Sequence, residues 1–329
     1  MKALVTGGGG FLGKAIVTRL KSRGDEVVSL ARGEYPQLID MGVHTVQGSL
    51  SDRDAVLNAA QGCDVVFHVA AKASVDSRHE EFRATNVDGT RNVIEACRNL
   101  GIRRLVYTST PSVVHGGGDI QGADESIPYP DHYEAYYPMT KAEAERMVLA
   151  ANDKDLATVA LRPHIIWGPG DNNLIPRLIQ RAKAGRLVKV KGGPFLVDTV
   201  YVDNAAQAHL LAAEKLTPGS SIAGKVYFIS NGEPIDMADL IDRILALAGL
   251  PPVKRQVSAK TLYILGRVLE PLYRLFAPHL EPPVNRFVAH QLSTSHWFDI
   301  SAARRDLGYE PEISIEEGLR RLADHMPLA

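Results

Sequence analysis

The chain has 329 residues, 45% of them hydrophobic, and a formal net charge of -1. That length and apolar content suffice for a large core, organised as one main domain with a smaller lobe. The near-zero charge argues against a nucleic-acid partner, which selects for a strongly basic surface. Cys63 and Cys97 stand outside any C-x-x-C pair, so no disulfide framework or zinc knuckle is indicated and a reducing compartment fits. The opening Met1-Lys2-Ala3-Leu4-Val5-Thr6 is already strand-like and lacks the form of a signal peptide. No window reaches the roughly 18 uninterrupted apolar residues of a membrane span, so a cytoplasmic protein is expected.

In chain order, residues 3–6 read as a strand and 11–23 as a helix with Leu12, Ala15, Ile16 and Leu20 on one face. Strands follow at 26–31 and 43–47, a helix at 54–60, a strand at 65–69, a long amphipathic helix at 86–100 and a strand at 105–108. Strands alternating with helices predict an α/β fold, a doubly wound parallel sheet of the Rossmann type with right-handed crossovers. Beyond about residue 165 the pattern loosens, punctuated by Pro163, Gly168, Pro169, Gly170 and Pro176. Short strands are expected at 200–202 and 227–229, and helices at 238–248 and 315–325. The expected division is a dinucleotide-binding domain over 1–165, to which 200–230 returns, and a mostly helical substrate-binding lobe over 166–329.

Thr6-Gly7-Gly8-Gly9-Gly10-Phe11-Leu12-Gly13 joins the first strand to the first helix, with glycines spaced G-x-x-G-x-x-G at Gly7, Gly10 and Gly13. Glycine there permits a tight turn and close backbone approach to a pyrophosphate, which rests on the free N–H groups and positive dipole end of the helix. A bare glycine-rich turn would need no such placement, so Gly7, Gly10, Phe11, Leu12 and Gly13 are assigned to a dinucleotide. In an NAD site an acid at the end of the second strand holds the ribose 2′-OH. Here that strand ends Ser29-Leu30-Ala31-Arg32-Gly33, and Arg32 suits a 2′-phosphate through charge and forked donors. The competing reading makes Arg32 a surface residue and leaves the ribose to Glu34 or water; NADP(H) is the favoured cofactor.

Tyr137-Pro138-Met139-Thr140-Lys141 leads into a helical run, with Pro138 suited to a first helical position and Tyr137 and Lys141 one turn apart on one face. A free tyrosine, with a pKa near 10, exchanges protons poorly at neutral pH; a neighbouring ammonium stabilises its phenolate. Y-x-x-x-K also arises by chance as a packed tyrosine beside a solvated lysine. Tyr133 and Tyr136 have no lysine four residues on and are read as structural or substrate-facing. The hydroxyls of Thr108-Ser109-Thr110-Pro111-Ser112 lie where the 105–108 strand ends, at the ligand-binding edge of a doubly wound sheet, although hydroxyl residues also serve turns.

Together these residues resemble the extended short-chain dehydrogenase/reductase superfamily along nearly the whole chain. Val66-Phe67-His68-Val69-Ala70-Ala71 resembles the strand whose end lies along the cofactor, implying cofactor contacts at Ala70, Ala71 and Lys72. Asn86-Val87-Asp88-Gly89-Thr90 resembles the segment carrying a structural asparagine, and brings Asn86 to the same set. Leu161-Arg162-Pro163, running on to Trp167-Gly168-Pro169-Gly170-Asp171, resembles the stretch past the nicotinamide and implies Pro163, Ile165 and Ile166. Gly48-Ser49-Leu50 stands at the adenine position, where the family often has aspartate before leucine; Ser49 and Leu50 are carried over. Tyr137 and Lys141 match the catalytic pair and Thr110 the catalytic hydroxyl, with Ser109 as the alternative. Tyr201-Val202-Asp203-Asn204 and Leu307-Gly308-Tyr309-Glu310-Pro311 match later segments.

Within the superfamily, Thr294-Ser295-His296-Trp297-Phe298-Asp299 resembles the 3β-hydroxysteroid dehydrogenase branch. Ser109-Thr110-Pro111-Ser112-Val113, Trp167-Gly168-Pro169-Gly170-Asp171-Asn172 and Phe228-Ile229-Ser230-Asn231-Gly232-Glu233-Pro234 are similar to bacterial members of long-chain olefin biosynthesis. That resemblance implies NADPH-dependent reduction of a β-keto acid to a β-hydroxy acid, and a homodimer formed through nucleotide-domain helices. A sterol or steroid dehydrogenase, a nucleotide-sugar epimerase and a non-catalytic dinucleotide sensor are the rival readings.

Leu262, Leu265, Leu269, Leu272 and Phe276 recur at helical spacing, and Lys260, Arg267 and Arg274 every seven residues. Such a segment can cover an acyl chain and attract a carboxylate, lie on an anionic membrane, or form an ordinary lid helix. Pro271 is expected to kink or split it. His68, His115, His164 and His209 lack the short spacings of a zinc site, and no metal is expected.

Overall fold

Runs rich in valine, leucine and alanine without polar interruption suit a parallel sheet covered on both faces. In the structure of the protein, a computed structural model describing residues 1–73, 78–276 and 282–326, these runs are β1 (Lys2–Thr6), β2 (Glu26–Ala31), β3 (His44–Gln47), β4 (Val65–His68), β5 (Arg104–Thr108), β6 (Ala157–Pro163) and β7 (Lys225–Ile229). They form a seven-stranded sheet in the order β7-β6-β5-β4-β1-β2-β3, with every pairing parallel. The doubly wound α/β architecture is therefore present. The winding direction reverses between β1 and β4, so a crevice opens beyond their carboxyl ends.

Alternate residues of each strand enter opposite cores, as a period of two requires. Ala3, Val5, Val65, Phe67 and Val106 pack with Leu12, Ile16 and Leu20 of α1 (Phe11–Ser22). Leu4, Val66, Leu105 and Tyr107 pack on the other face with Val93, Ala96 and Cys97.

Three elements depart from the expectations. The helix expected over 86–100 is regular only over Gly89–Leu100; it is preceded by a π-helical turn, Arg83–Asp88. There the Asn86 side chain is drawn to the backbone of Lys72, and the Thr90 hydroxyl donates to the Asn86 carbonyl at 2.6 Å. The strand expected at 200–202 ends at Tyr201, and Val202–Lys215 is a helix that packs along α1. Its alanine content favours a helix, and those small side chains (Ala205, Ala206, Ala208, Ala212) let it approach the sheet closely. The 260–276 stretch is one helix, Ala259–Phe276, which runs through Pro271 without splitting. Of its basic residues, the Arg274 side chain lies outside the described part.

The lobe is built around Trp167, Ile175, Tyr201, Leu240, Ile244 and Leu319. It is joined to the first half by a small sheet in which Ile120–Ala123 pairs with His296–Phe298, which in turn pairs with Leu196–Val197. Among the described residues no helix is long and apolar enough to cross a membrane.

Candidate active site

Beyond the carboxyl ends of β1 and β4 lies a cleft of about 870 Å³, within the range of small-molecule and cofactor sites. Its floor begins at Thr6. The Thr6 hydroxyl accepts the N–H groups of Val69 and Ala70, each at 3.1 Å, and pairs with His68 Nδ1 at 2.9 Å. This pins the chain after β4 against the glycine loop. Gly7 has φ +71°, and a Cβ on it would meet Ala70 at 3.0 Å. A Cβ on Gly13 would come within 2.0 Å of the Gly7 carbonyl oxygen. Helix α1 therefore starts flush with the loop, and its first-turn N–H groups at Phe11, Leu12 and Gly13 face the cleft without helical acceptors.

Gly7, Gly10, Phe11, Leu12, Gly13, Arg32, Ser49, Leu50, Ala70, Ala71, Pro163, Ile165 and Ile166 all line this cleft, together with Thr110, Tyr137 and Lys141. Lys72 and Asn86 do not. Lys72 is ion-paired with Glu81 at 2.5 Å. Asn86 is buried, accepting from the Lys72 N–H at 2.8 Å and donating to the Thr140 hydroxyl at 3.1 Å. It fastens the loop after β4 to the helix that carries Tyr137 and Lys141. Arg32 is exposed at the rim and makes no ion pair among the described residues. Tyr35, Thr85 and Asn173 also line the cleft and escaped the sequence reading. Tyr35 lies so close to Gly9 that a Cβ there would reach its ring at 2.4 Å; no periodicity marks such a contact.

Tyr137 and Lys141 stand on the helix Tyr136–Ala150. This helix starts two residues before Pro138, which occupies its first turn, where a missing N–H breaks no bond. Lys141 is 2% exposed, donates to the Thr108 carbonyl at 2.6 Å and lies 4.1 Å over the Tyr107 ring. Burial lowers its pKa to about 7, against the Glu145 charge one turn on, which raises it. Glu145 is itself held by Arg162 at 2.6 and 3.0 Å and by the Tyr129 hydroxyl at 2.5 Å. Tyr137 is partly buried. That burial holds its phenol above the ordinary tyrosine value, while a hydrogen bond with Thr110 pulls the other way.

Thr110 also accepts the Ser112 N–H at 3.2 Å, which fixes the turn Pro111–Val114. Ser109 lines the cleft with a buried hydroxyl that has no partner among the described residues. Tyr133 donates to the Val113 carbonyl at 2.8 Å, and Tyr136 packs on His79 and Phe82. Ile165, at the inner wall, has φ +42°, an outlying conformation for a β-branched residue that costs on the order of 1–3 kcal/mol.

The histidines fall into structural places. His68 bridges Thr6 and Thr90, and burial holds it neutral with a pKa near 3. His209 joins Thr108 to the Ala205 carbonyl. His164 pairs with Asp198 at 2.5 Å and with His296 at 3.2 Å. His115 lies edge-on to His296.

A dinucleotide fits these residues: free N–H groups at a glycine-tight helix start, a guanidinium at the rim with no ion pair among the described residues, and a tyrosine and a lysine one helical turn apart lining the inner end. The comparisons agree. The chain is 54% identical over 98% of both sequences to a 2-alkyl-3-oxoalkanoate reductase of Stenotrophomonas maltophilia. It is 51% identical to the protein of that name from Shewanella oneidensis, over 97% of this chain and 85% of the other. Among solved structures it is similar to MoeE5 in complex with UDP-glucose and NAD, at a TM-score of 0.75 and 25% identity over 99% of this chain and 98% of that one. Residues 4–258 match the 3-beta hydroxysteroid dehydrogenase/isomerase family, and the chain belongs to that family of NAD(P)-dependent oxidoreductases acting on alcohol and carbonyl groups.

Proposed function

We propose that the protein reduces the 3-oxo group of a 2-alkyl-3-oxoalkanoate to the corresponding 3-hydroxy acid, with NADPH as cofactor. The observation that carries this reading is the convergence of Tyr137, Thr110 and Lys141 at the inner end of the glycine-loop cleft. The relatives' names supply the substrate class, and Arg32 at the rim supplies the preference for a 2′-phosphate.

A bound nicotinamide supplies hydride to the carbonyl carbon. Tyr137 gives the proton to the carbonyl oxygen, and Thr110, whose hydroxyl donates to Ser112 Oγ at 3.1 Å in the free cleft, turns to donate to that oxygen and aligns it. An ammonium has three donors. Lys141 spends one on the Thr108 carbonyl and has the others for the nicotinamide ribose and the phenol. Phe11, Leu12 and Gly13 hold the pyrophosphate through backbone N–H groups. The strained Ile165 and its neighbours Pro163 and Ile166 wall the nicotinamide end with apolar surface that keeps water from the reacting carbon.

Tyr137→Phe is expected to lower kcat by about 10²–10⁴ while NADPH binding, followed by fluorescence titration, stays within a fewfold. Full turnover in that variant would remove Tyr137 from the mechanism. Arg32→Ser should weaken NADPH binding roughly 10–100-fold and leave NADH unchanged. Equal loss for both cofactors would refute the 2′-phosphate assignment. A β-keto acid and a 3-hydroxysteroid assayed side by side decide the substrate class.

A further inference from the structure

Thr108-Ser109-Thr110 forms the end of β5 and the step beyond it, and all three residues line the cleft. Their polar groups are used unequally. The Thr108 hydroxyl is bonded to His209 Nε2 at 2.8 Å, and its carbonyl accepts from Lys141 at 2.6 Å. The Thr110 hydroxyl donates to Ser112 Oγ at 3.1 Å. The Ser109 N–H donates to the Leu161 carbonyl at 2.6 Å. The Ser109 hydroxyl, on a residue only 4% exposed, has no partner among the described residues.

Buried polar groups are nearly always hydrogen-bonded, and leaving one unmet is costly. Other buried side-chain atoms in that condition, such as Tyr107 Oη, Ser29 Oγ and Trp297 Nε1, lie outside the cleft lining. Ser109 stands in it. A donor held out of water at the wall of a ligand cleft marks the place of an acceptor on the ligand.

The charges of the cleft say which kind of acceptor. Among the described residues its lining holds the cations Arg32 and Lys141 and no acid. Arg32 is exposed at the rim. Lys141 lies at the inner end, bonded to the residue before Ser109. An anion at the inner end therefore meets an ammonium and no opposing carboxylate.

We propose that Ser109 recognises the substrate carboxylate, donating its hydroxyl to one carboxylate oxygen while Tyr137 and Thr110 hold the 3-oxo oxygen. This rests on the reading of the substrate as a 3-oxo acid. In such an acid the two oxygen-bearing carbons are separated by a single carbon, so hydroxyls from consecutive residues can meet both groups together. A carboxylate only accepts, and a hydrogen bond to it is stronger than one between neutral groups. A ketone without the acid leaves the Ser109 hydroxyl unmet, which is how a site rejects an analogue. Ser109 is thus a specificity-determining residue, and proton transfer stays with Tyr137.

The test compares the wild type with Ser109→Ala on a 2-alkyl-3-hydroxy acid and on the secondary alcohol of the same chains without the carboxyl group. Initial rates of oxidation with NADP⁺ avoid preparing 3-oxo acids, which lose CO₂ readily. The wild type is expected to prefer the acid. Ser109→Ala should lower kcat/KM for the acid roughly 10–100-fold and leave the alcohol within about twofold. NADPH affinity by fluorescence titration and the thermal midpoint should stay at wild-type values, since the hydroxyl has no protein partner to lose. An equal fall for acid and alcohol would overturn the inference and leave the reductase reading standing, as would a wild type indifferent to the carboxyl group. Weaker NADPH binding would give the hydroxyl to the cofactor, and a lower midpoint would give it to the fold; either result overturns the inference. A wild type inert towards both compounds and active on a 3-hydroxysteroid would overturn the substrate reading and this inference with it.

Discussion

In the nucleotide half, Leu4, Val5, Val66 and Phe67 are fully buried, and glycines let backbone touch backbone. In the lobe, strands as short as Leu196–Val197 and Ile235–Asp236 hold a core capped by a helix whose apolar arc faces outward. The first half spends its apolar residues on internal closure, and so tolerates little change. The lobe leaves part of its apolar surface outward, and owes its shape to pairings across long stretches of chain.

The largest effect that would break this contrast is at Gly13. A methyl group there meets the Gly7 carbonyl oxygen at 2.0 Å, and that oxygen belongs to backbone with no freedom to retreat. Gly13→Ala should weaken NADPH binding by roughly a thousandfold or more, with a fall in thermal midpoint. Near-normal titration would mean that the loop has slack.

Next is the buried pair of Arg162 and Glu145, 2% and 0% exposed. Arg162→Met leaves the Glu145 carboxylate without its counter-charge and should cost about 3–5 kcal/mol in urea denaturation. A loss below 1 kcal/mol would show that Tyr129 alone satisfies the acid.

The smallest effect is the pH dependence arising from Lys141. Its pKa is about 7 in the folded chain and near 10.4 when unfolded. Between those values the unfolded state binds the extra proton, so this residue's contribution to stability rises with pH and is lost as pH falls towards 7. The slope is bounded at about 1.4 kcal/mol per pH unit. Denaturation curves between pH 7 and 9 should show that component, and Lys141→Met should remove it. An unchanged slope in the variant would mean that Lys141 is charged throughout that range.

The glycine loop, the strand runs and the Tyr137–Lys141 spacing were legible because each depends on neighbours in sequence: a turn, a period of two, one helical turn. The helix Val202–Lys215 was missed because its alanines leave no strong apolar face. The role of Asn86 was visible only as a family position. Its fastening of Lys72 to Thr140 depends on partners 14 and 54 residues away. Tyr35 against Gly9, and Ile120–Ala123 against His296–Phe298, are contacts for which local pattern holds no signal. The exposure of the 259–276 arc belongs to this group too, since amphipathic spacing does not reveal which side meets the body.

The small sheet has a consequence for synthesis. Among the described residues Ile120–Ala123 pairs only with His296–Phe298, and the bond from the Ser295 N–H to Asp119 beside it spans 176 residues. At about 5–20 residues per second, a ribosome needs roughly 10–35 s to cover that distance. Throughout that interval the nascent chain carries an open strand edge, the kind of surface that recruits other chains. The nucleotide half can collapse around β1 to β6 while it waits, but Ile120–Ala123 gains its strand partner only once His296–Phe298 has been made. Chains truncated before His296 are therefore expected to aggregate rather than to survive as a free-standing cofactor domain, and chaperone demand should peak just before that residue emerges.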